Sequence, residues 1–148
     1  MEMKTQLTGS RFYLSAIGSE AALFELDSTL NLIGSEIKAM RGLGSEAIAE
    51  NGERNWLWRT CYHQCLTNIP EDEVLTYLNE SGIVATLKAN RPRLCQLSVI
   101  LVNYPATVSE VRGCSIPTAL IHILYDLNAS FEFDLLPYAL MDETHTNS

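Results

Sequence analysis

The chain has no long apolar run: nothing in its 148 residues approaches the roughly 20 consecutive hydrophobic residues that cross a membrane as a helix. Cations are scarce. Ten Lys and Arg stand against eighteen Asp and Glu, for a net charge of −8, and the ten do not cluster. The basic footprint that a phosphate backbone demands is therefore missing, which weighs against direct nucleic-acid binding. None of the four cysteines forms a C-x-x-C pair, so the dithiol chemistry that depends on that spacing is excluded. The opening stretch, MEMKTQLTGSRFY, lacks the continuous apolar segment of a secretory signal, and we expect a cytoplasmic protein whose cysteines are thiols.

With 47% hydrophobic and 19% charged residues, the composition is that of a globular protein with room for a real core. There is no internal repeat and no linker long enough to divide the chain. We expect one domain over residues 1–148, with a core at about 11–138 and a polar tail at 141–148.

RFYLSAI, residues 11–17, alternates as a strand does and stops at Gly18. Ser19 then caps a helix in which Ala22, Leu23, Leu26, Leu30 and Ile33 recur at helical spacing, closed by Gly34. Residues 35–53, punctuated by glycines, read as strand fragments and loop. NWLWRTCYHQCL, residues 55–66, reads as a strand with Trp56, Trp58, Thr60 and Tyr62 on one face and Leu57, Arg59, Cys61, His63 and Cys65 on the other. Pro70 followed by Glu71, Asp72 and Glu73 starts a helix, because proline is preformed for the first turn and acids complement its positive end. Another helical piece runs through Ile83, Val84 and Leu87 to Arg91-Pro92. LCQLSVILVNY, residues 94–104, is the best strand and reads as central. A last helix follows Ser115 and Pro117, and FEFDLL, residues 131–136, alternates as a final half-buried strand. The expected fold is a single-domain α+β sandwich: a mainly antiparallel sheet with helices packed on one side.

CYHQC, residues 61–65, concentrates the reactive side chains. Zinc wants four ligands in two close pairs, and Cys95 or Cys114 could complete Cys61, His63 and Cys65 but has no neighbouring Cys or His to make a second pair. A nucleophile pair would set Cys61, Cys65 or Cys114 against His63 or His122, with a third group to orient the base. Against both stands the plain reading of strand thiols beside a structural histidine. GLGSE, residues 42–46, lacks the lysine of a phosphate loop and is a turn. Glu132 and Asp134 share one strand face, as an acid pair or as the wet side of an edge strand. His145 lies in the tail. We expect no cofactor and no resident metal.

The order of W-x-W at 56–58, the acid-led helix at 71–80, the strand LSVILVNY and then SIPTALIHILYDLNASFEFDLLPY resembles the bacterial family called domain of unknown function 4279. ASFEFDLLPY, residues 129–138, carries the resemblance most closely, and residues 35–55 match poorly. Members of that family are similar to immunity proteins of polymorphic toxin and contact-dependent inhibition systems. The resemblance implies a non-catalytic, cytosolic inhibitor of a cognate protein toxin, and the acidic balance suits a basic one such as a nuclease. On that reading the contact residues are Glu50, Glu53, Trp58, Glu110, Glu132 and Asp134. Two alternatives stand beside it: a metal- or thiol-dependent enzyme or ligand-binding module built on Cys61, His63 and Cys65, and a homo-oligomeric scaffold.

Overall fold

The computed structural model of the chain describes residues 9–80, 82–105 and 113–136. The described elements run β1 (Gly9–Gly18), α1 (Glu20–Leu30), β2 (Glu36–Ala39), β3 (Trp56–Arg59), β4 (His63–Gln64), α2 (Pro70–Leu78), α3 (Ile83–Asn90), β5 (Leu94–Tyr104), α4 (Thr118–Leu127) and β6 (Ser130–Leu135). They form one sheet in the order β2-β3-β1-β5-β6, with β4 also paired to β1. Every pairing is antiparallel except β5 with β6, which are parallel and joined through α4. The expected α+β sandwich is what forms.

Strand alternation decides which side the helices cover. Phe12, Leu14 and Ala16 of β1 stand opposite Leu101, Val99 and Leu97 of β5, and all six lie in one buried cluster with Leu23 and Leu26 of α1, Val74 and Leu78 of α2, Leu87 of α3, and Leu120, Leu124 and Leu127 of α4. All four described α-helices thus pack on that face. The residues of opposite parity, Arg11, Tyr13, Ser15 and Ile17 on β1 and Gln96, Ser98, Ile100 and Val102 on β5, line the other face.

The helix ends follow local chemistry. Ser19 accepts from the Ala22 amide at 3.2 Å, as an N-cap should. Asn31 takes the left-handed conformation at φ 54° and ends α1 before Ile33. Ile33 therefore leaves the helical face expected of it and stands 95% exposed. Ser115 is not a cap either. Pro117 holds that place, while the Ser115 amide donates at 2.9 Å to Glu71, a first-turn acid of α2 that is only 1% exposed. The acid expected to complement a helix end also pins the segment leading into α4.

The continuous strand expected over residues 55–66 is broken. Ser15 stands opposite Arg59, but Phe12 stands opposite His63, so three steps along β1 match four along its partner. One extra residue is accommodated at 60–62, a β-bulge. Thr60 holds the break: its amide donates to the Leu14 carbonyl at 3.0 Å and its hydroxyl accepts the Leu14 amide at 3.0 Å. A one-residue slip reverses side-chain parity. Trp58, His63 and Cys65 consequently face the helices, and Tyr62 turns to the open face.

Candidate protein-binding face

The bulge sets Tyr62 against Tyr13, ring centroids 5.0 Å apart in an edge-to-face arrangement. Arg11, two residues before Tyr13 on β1, lies over both Tyr104 and Tyr62, its guanidinium carbon 5.3 Å and 6.0 Å from their ring centroids. Its Nε donates to the Gln64 side chain at 3.0 Å. Tyr62 is 47% exposed and Arg11, Tyr13 and Tyr104 are half-buried, so the cluster is held in place yet reaches solvent. The parallel register of β6 puts Glu132 beside Ile100 and Asp134 beside Val102, in the same rows as Tyr13 and Arg11. Burial first, and then the field of Tyr62, holds the Tyr13 hydroxyl above its ordinary pKa; Arg59 opposes this, while Asp134 and Glu132 add to it. Tyr104 is raised in the same way, by burial and then Tyr62, against the opposing charge of Arg11.

Residues 44–55 border the other end of this face. The Ala47 and Ile48 amides donate to the Gly44 carbonyl, making GLGSE the turn expected of it, and Ile48 bridges to Arg54. Asn51 and Gly52, the latter at φ +85°, close this small hairpin. Between it and the sheet lies a groove of about 790 Å³ that includes Ile17, Glu46, Glu50, Asn55, Cys95 and Gln96.

The residues expected to touch a partner are scattered by this geometry. Glu132 and Asp134 are exposed beside the tyrosines, and Glu50 lines the groove. Glu53 is exposed outside the groove's lining and accepts from the Asn51 side chain at 3.2 Å. Glu110 lies outside the described residues. Trp58 must be withdrawn: it is 0% exposed, and its indole N–H donates to Asp27 of α1 at 3.0 Å, so a partner has no access to it. Trp56 shares that helix-side face and is packed against the core. Arg11, Tyr13, Tyr62 and Tyr104 are not among the expected contacts, and the unbroken strand parity read over residues 55–66 puts Tyr62 with the tryptophans, away from the other three.

CYHQC does not converge. Cys61 is exposed at the bulge, Cys65 is buried in the core, and His63 stacks on Phe12 at 5.0 Å and lies 4.3 Å from the Tyr77 ring. Cys61 and His63 both border a cavity of about 360 Å³ with Tyr77 and Glu80, which Cys65 does not line. Among the described residues no three His, Cys, Asp or Glu side chains gather as metal ligands. Nor is any described helix long and apolar enough to cross a membrane.

Comparison of the chain with protein-family models, with curated proteins and with solved structures returns no match. The resemblance stated above rests on its own residues.

Proposed function

We propose that this chain is an immunity protein: a non-catalytic, cytoplasmic inhibitor that binds one toxin domain of a bacterial competition system through the open face of its sheet. The observation that supports this reading is the run of contacts from Tyr13 to Tyr62, from Tyr62 to Arg11 and from Arg11 to Tyr104 on the face opposite the helices. Tyrosine and arginine are among the residues most enriched where binding energy concentrates, because each offers a large flat surface with a polar edge. Glu132 and Asp134 border the cluster as a charged rim, which sets association rate and salt dependence more than affinity. The net charge of −8 attracts a basic partner.

The test is capture of a partner by tagged protein from its native bacterium at moderate salt, with metal content read on the same sample. The reading predicts a near-stoichiometric toxin fragment, lost in Tyr62→Ala, that arrests growth when expressed alone and is silenced by the wild-type chain. Zinc at one per chain with no partner would move the function to Cys61 and His63. A solution mass of a stable multimer with no partner would favour the scaffold.

A further inference from the structure

The groove beside the tyrosine cluster has a chemistry of its own. Its apolar lining includes Ile17, Ile48 and Ala49, and Glu46 and Glu50 bring carboxylates to it. A smaller hollow of about 220 Å³ shares Ile17, Glu46 and Gln96 with it and extends over Ser15 and Ser98 to Glu132, which reaches the row of Tyr13. Its amides already have partners, Asn55 donating to the Glu46 carbonyl at 2.9 Å and Gln96 to the Ser98 hydroxyl at 3.1 Å. Two of the nearby cations are engaged elsewhere. Arg54 donates to the Met40 and Gly42 carbonyls at 2.7 and 2.9 Å, and Arg59 pairs with Glu36 at 2.8 Å. Among the described residues, no ion pair or hydrogen bond engages the side-chain carboxylates of Glu46, Glu50 or Glu132.

The geometry points to this groove as the seat of an extended, arginine- or lysine-bearing segment of the partner protein. An Arg or Lys side chain matches the groove in two parts: its aliphatic stem lies along Ile17 and Ile48 while its head meets Glu46 or Glu50. An acidic segment would set like charges against each other, and a neutral one would leave the rim without a complement. Glu132 extends the acidic rim toward the tyrosines, so one strand-like segment can occupy the groove while its neighbours reach the aromatic cluster. This inference rests on the inhibitor reading and adds the chemistry of what is bound.

Two thiols make it testable. Cys95 lines the groove and is exposed, whereas Cys61 is exposed beside the His63 cavity and serves as an internal control. Alkylation by N-ethylmaleimide is followed at each cysteine by peptide mass, with capped peptides of alternating alanine and arginine, or alanine and glutamate, as probes. We expect the saturating arginine peptide to slow labelling of Cys95 by about fivefold, with Cys61 unchanged and the effect weakened by salt. Glu46→Gln with Glu50→Gln, both at exposed positions, removes the protection. Equal slowing at both thiols, protection by the glutamate peptide, protection that survives the double variant, or none at all would overturn the inference. The side-chain amide resonances of Asn55 and Gln96 report the same occupancy if Cys95 alkylates slowly. If partner capture is lost in Tyr62→Ala but unaffected by the double glutamine variant, the groove inference falls and the inhibitor reading stands. Protection by the arginine peptide with no captured partner supports the groove and refutes the inhibitor reading.

Discussion

Gly34→Ala is the substitution through which the bulge at 60–62 can be tested. Gly34 sits at φ +81°, and a Cβ built on it overlaps the sulfur of Cys61, the side chain at the bulge. Two costs add. Forcing a residue with a Cβ into the left-handed region costs about 1–2 kcal/mol, and turning the exposed Cys61 thiol off its rotamer costs about 0.5–1.5 kcal/mol. The single variant should therefore lose about 1.5–3.5 kcal/mol, while Cys61→Ala, at an exposed position, should stay within about 0.5 kcal/mol of wild type. The double variant separates the two costs. Without the sulfur, the nearest Cys61 atom is its Cβ at 3.7 Å, an ordinary contact, so only the backbone cost survives. Urea unfolding of all four proteins, with m held as a check on two-state behaviour, should give a favourable coupling of about 0.5–1.5 kcal/mol between the two sites. An additive cycle would mean that Gly34 and Cys61 do not meet, and the account of how the bulge is seated would be wrong.

Three further outcomes follow from contacts already described. Trp58→Phe keeps most of the buried ring but deletes the indole N–H bonded to Asp27, and urea unfolding should show a loss of about 1.5–3 kcal/mol, as for a hydrogen bond to a charged group. Burial alone would raise the Glu73 pKa, but hydrogen bonds from the Thr67 hydroxyl and the Leu66 and Thr67 amides outweigh it and hold the carboxyl below its ordinary 4.5. A depressed acid stabilises the fold fully above its unfolded pKa. The stability difference between wild type and Glu73→Gln should therefore be constant at neutral pH and disappear as the pH falls below 4.5 through the lower folded value, measured by thermal melts across that range. Tyr13, raised mainly by burial, keeps its proton longer in the folded state, so its contribution is complete below pH 10.0 and lost as the pH climbs past it; the ultraviolet difference titration between wild type and Tyr13→Phe should show a phenol ionising later than a free tyrosine.

Much of the fold was legible because its signals are local. The alternation of RFYLSAI, the cap at Ser19, the proline and acids at 70–73 and the β-branched run of 94–104 each name an element from a few neighbours, and each element forms close to where it was expected. Both failures of pattern come from single backbone choices. The left-handed turn at Asn31 takes Ile33 off its helix face, and the extra residue at 60–62 carries no glycine or proline to announce it. That second failure matters most for the site. With unbroken parity Tyr62 would lie with Trp58 in the core, and the open face would lose the ring that joins Tyr13 to Arg11. Glu132 and Asp134 were readable as the wet face of a final strand, but the tyrosines that give them meaning arrive from β1, β5 and the bulge, which only the assembled sheet brings together. Glu71 shows the converse: its helix-end position was readable, whereas its burial beneath the Ser115 amide depends on a segment 44 residues away.

The central claim is that the open face binds a protein partner through its tyrosine cluster. Its most direct test is calorimetric titration of the captured toxin domain into wild-type chain and into Tyr62→Ala, a substitution at a position 47% exposed. The account predicts one-to-one binding to wild type and affinity weaker by at least about 30-fold in the variant, the loss expected of a hot-spot residue. Equal affinities would contradict it and place the interface elsewhere on the molecule.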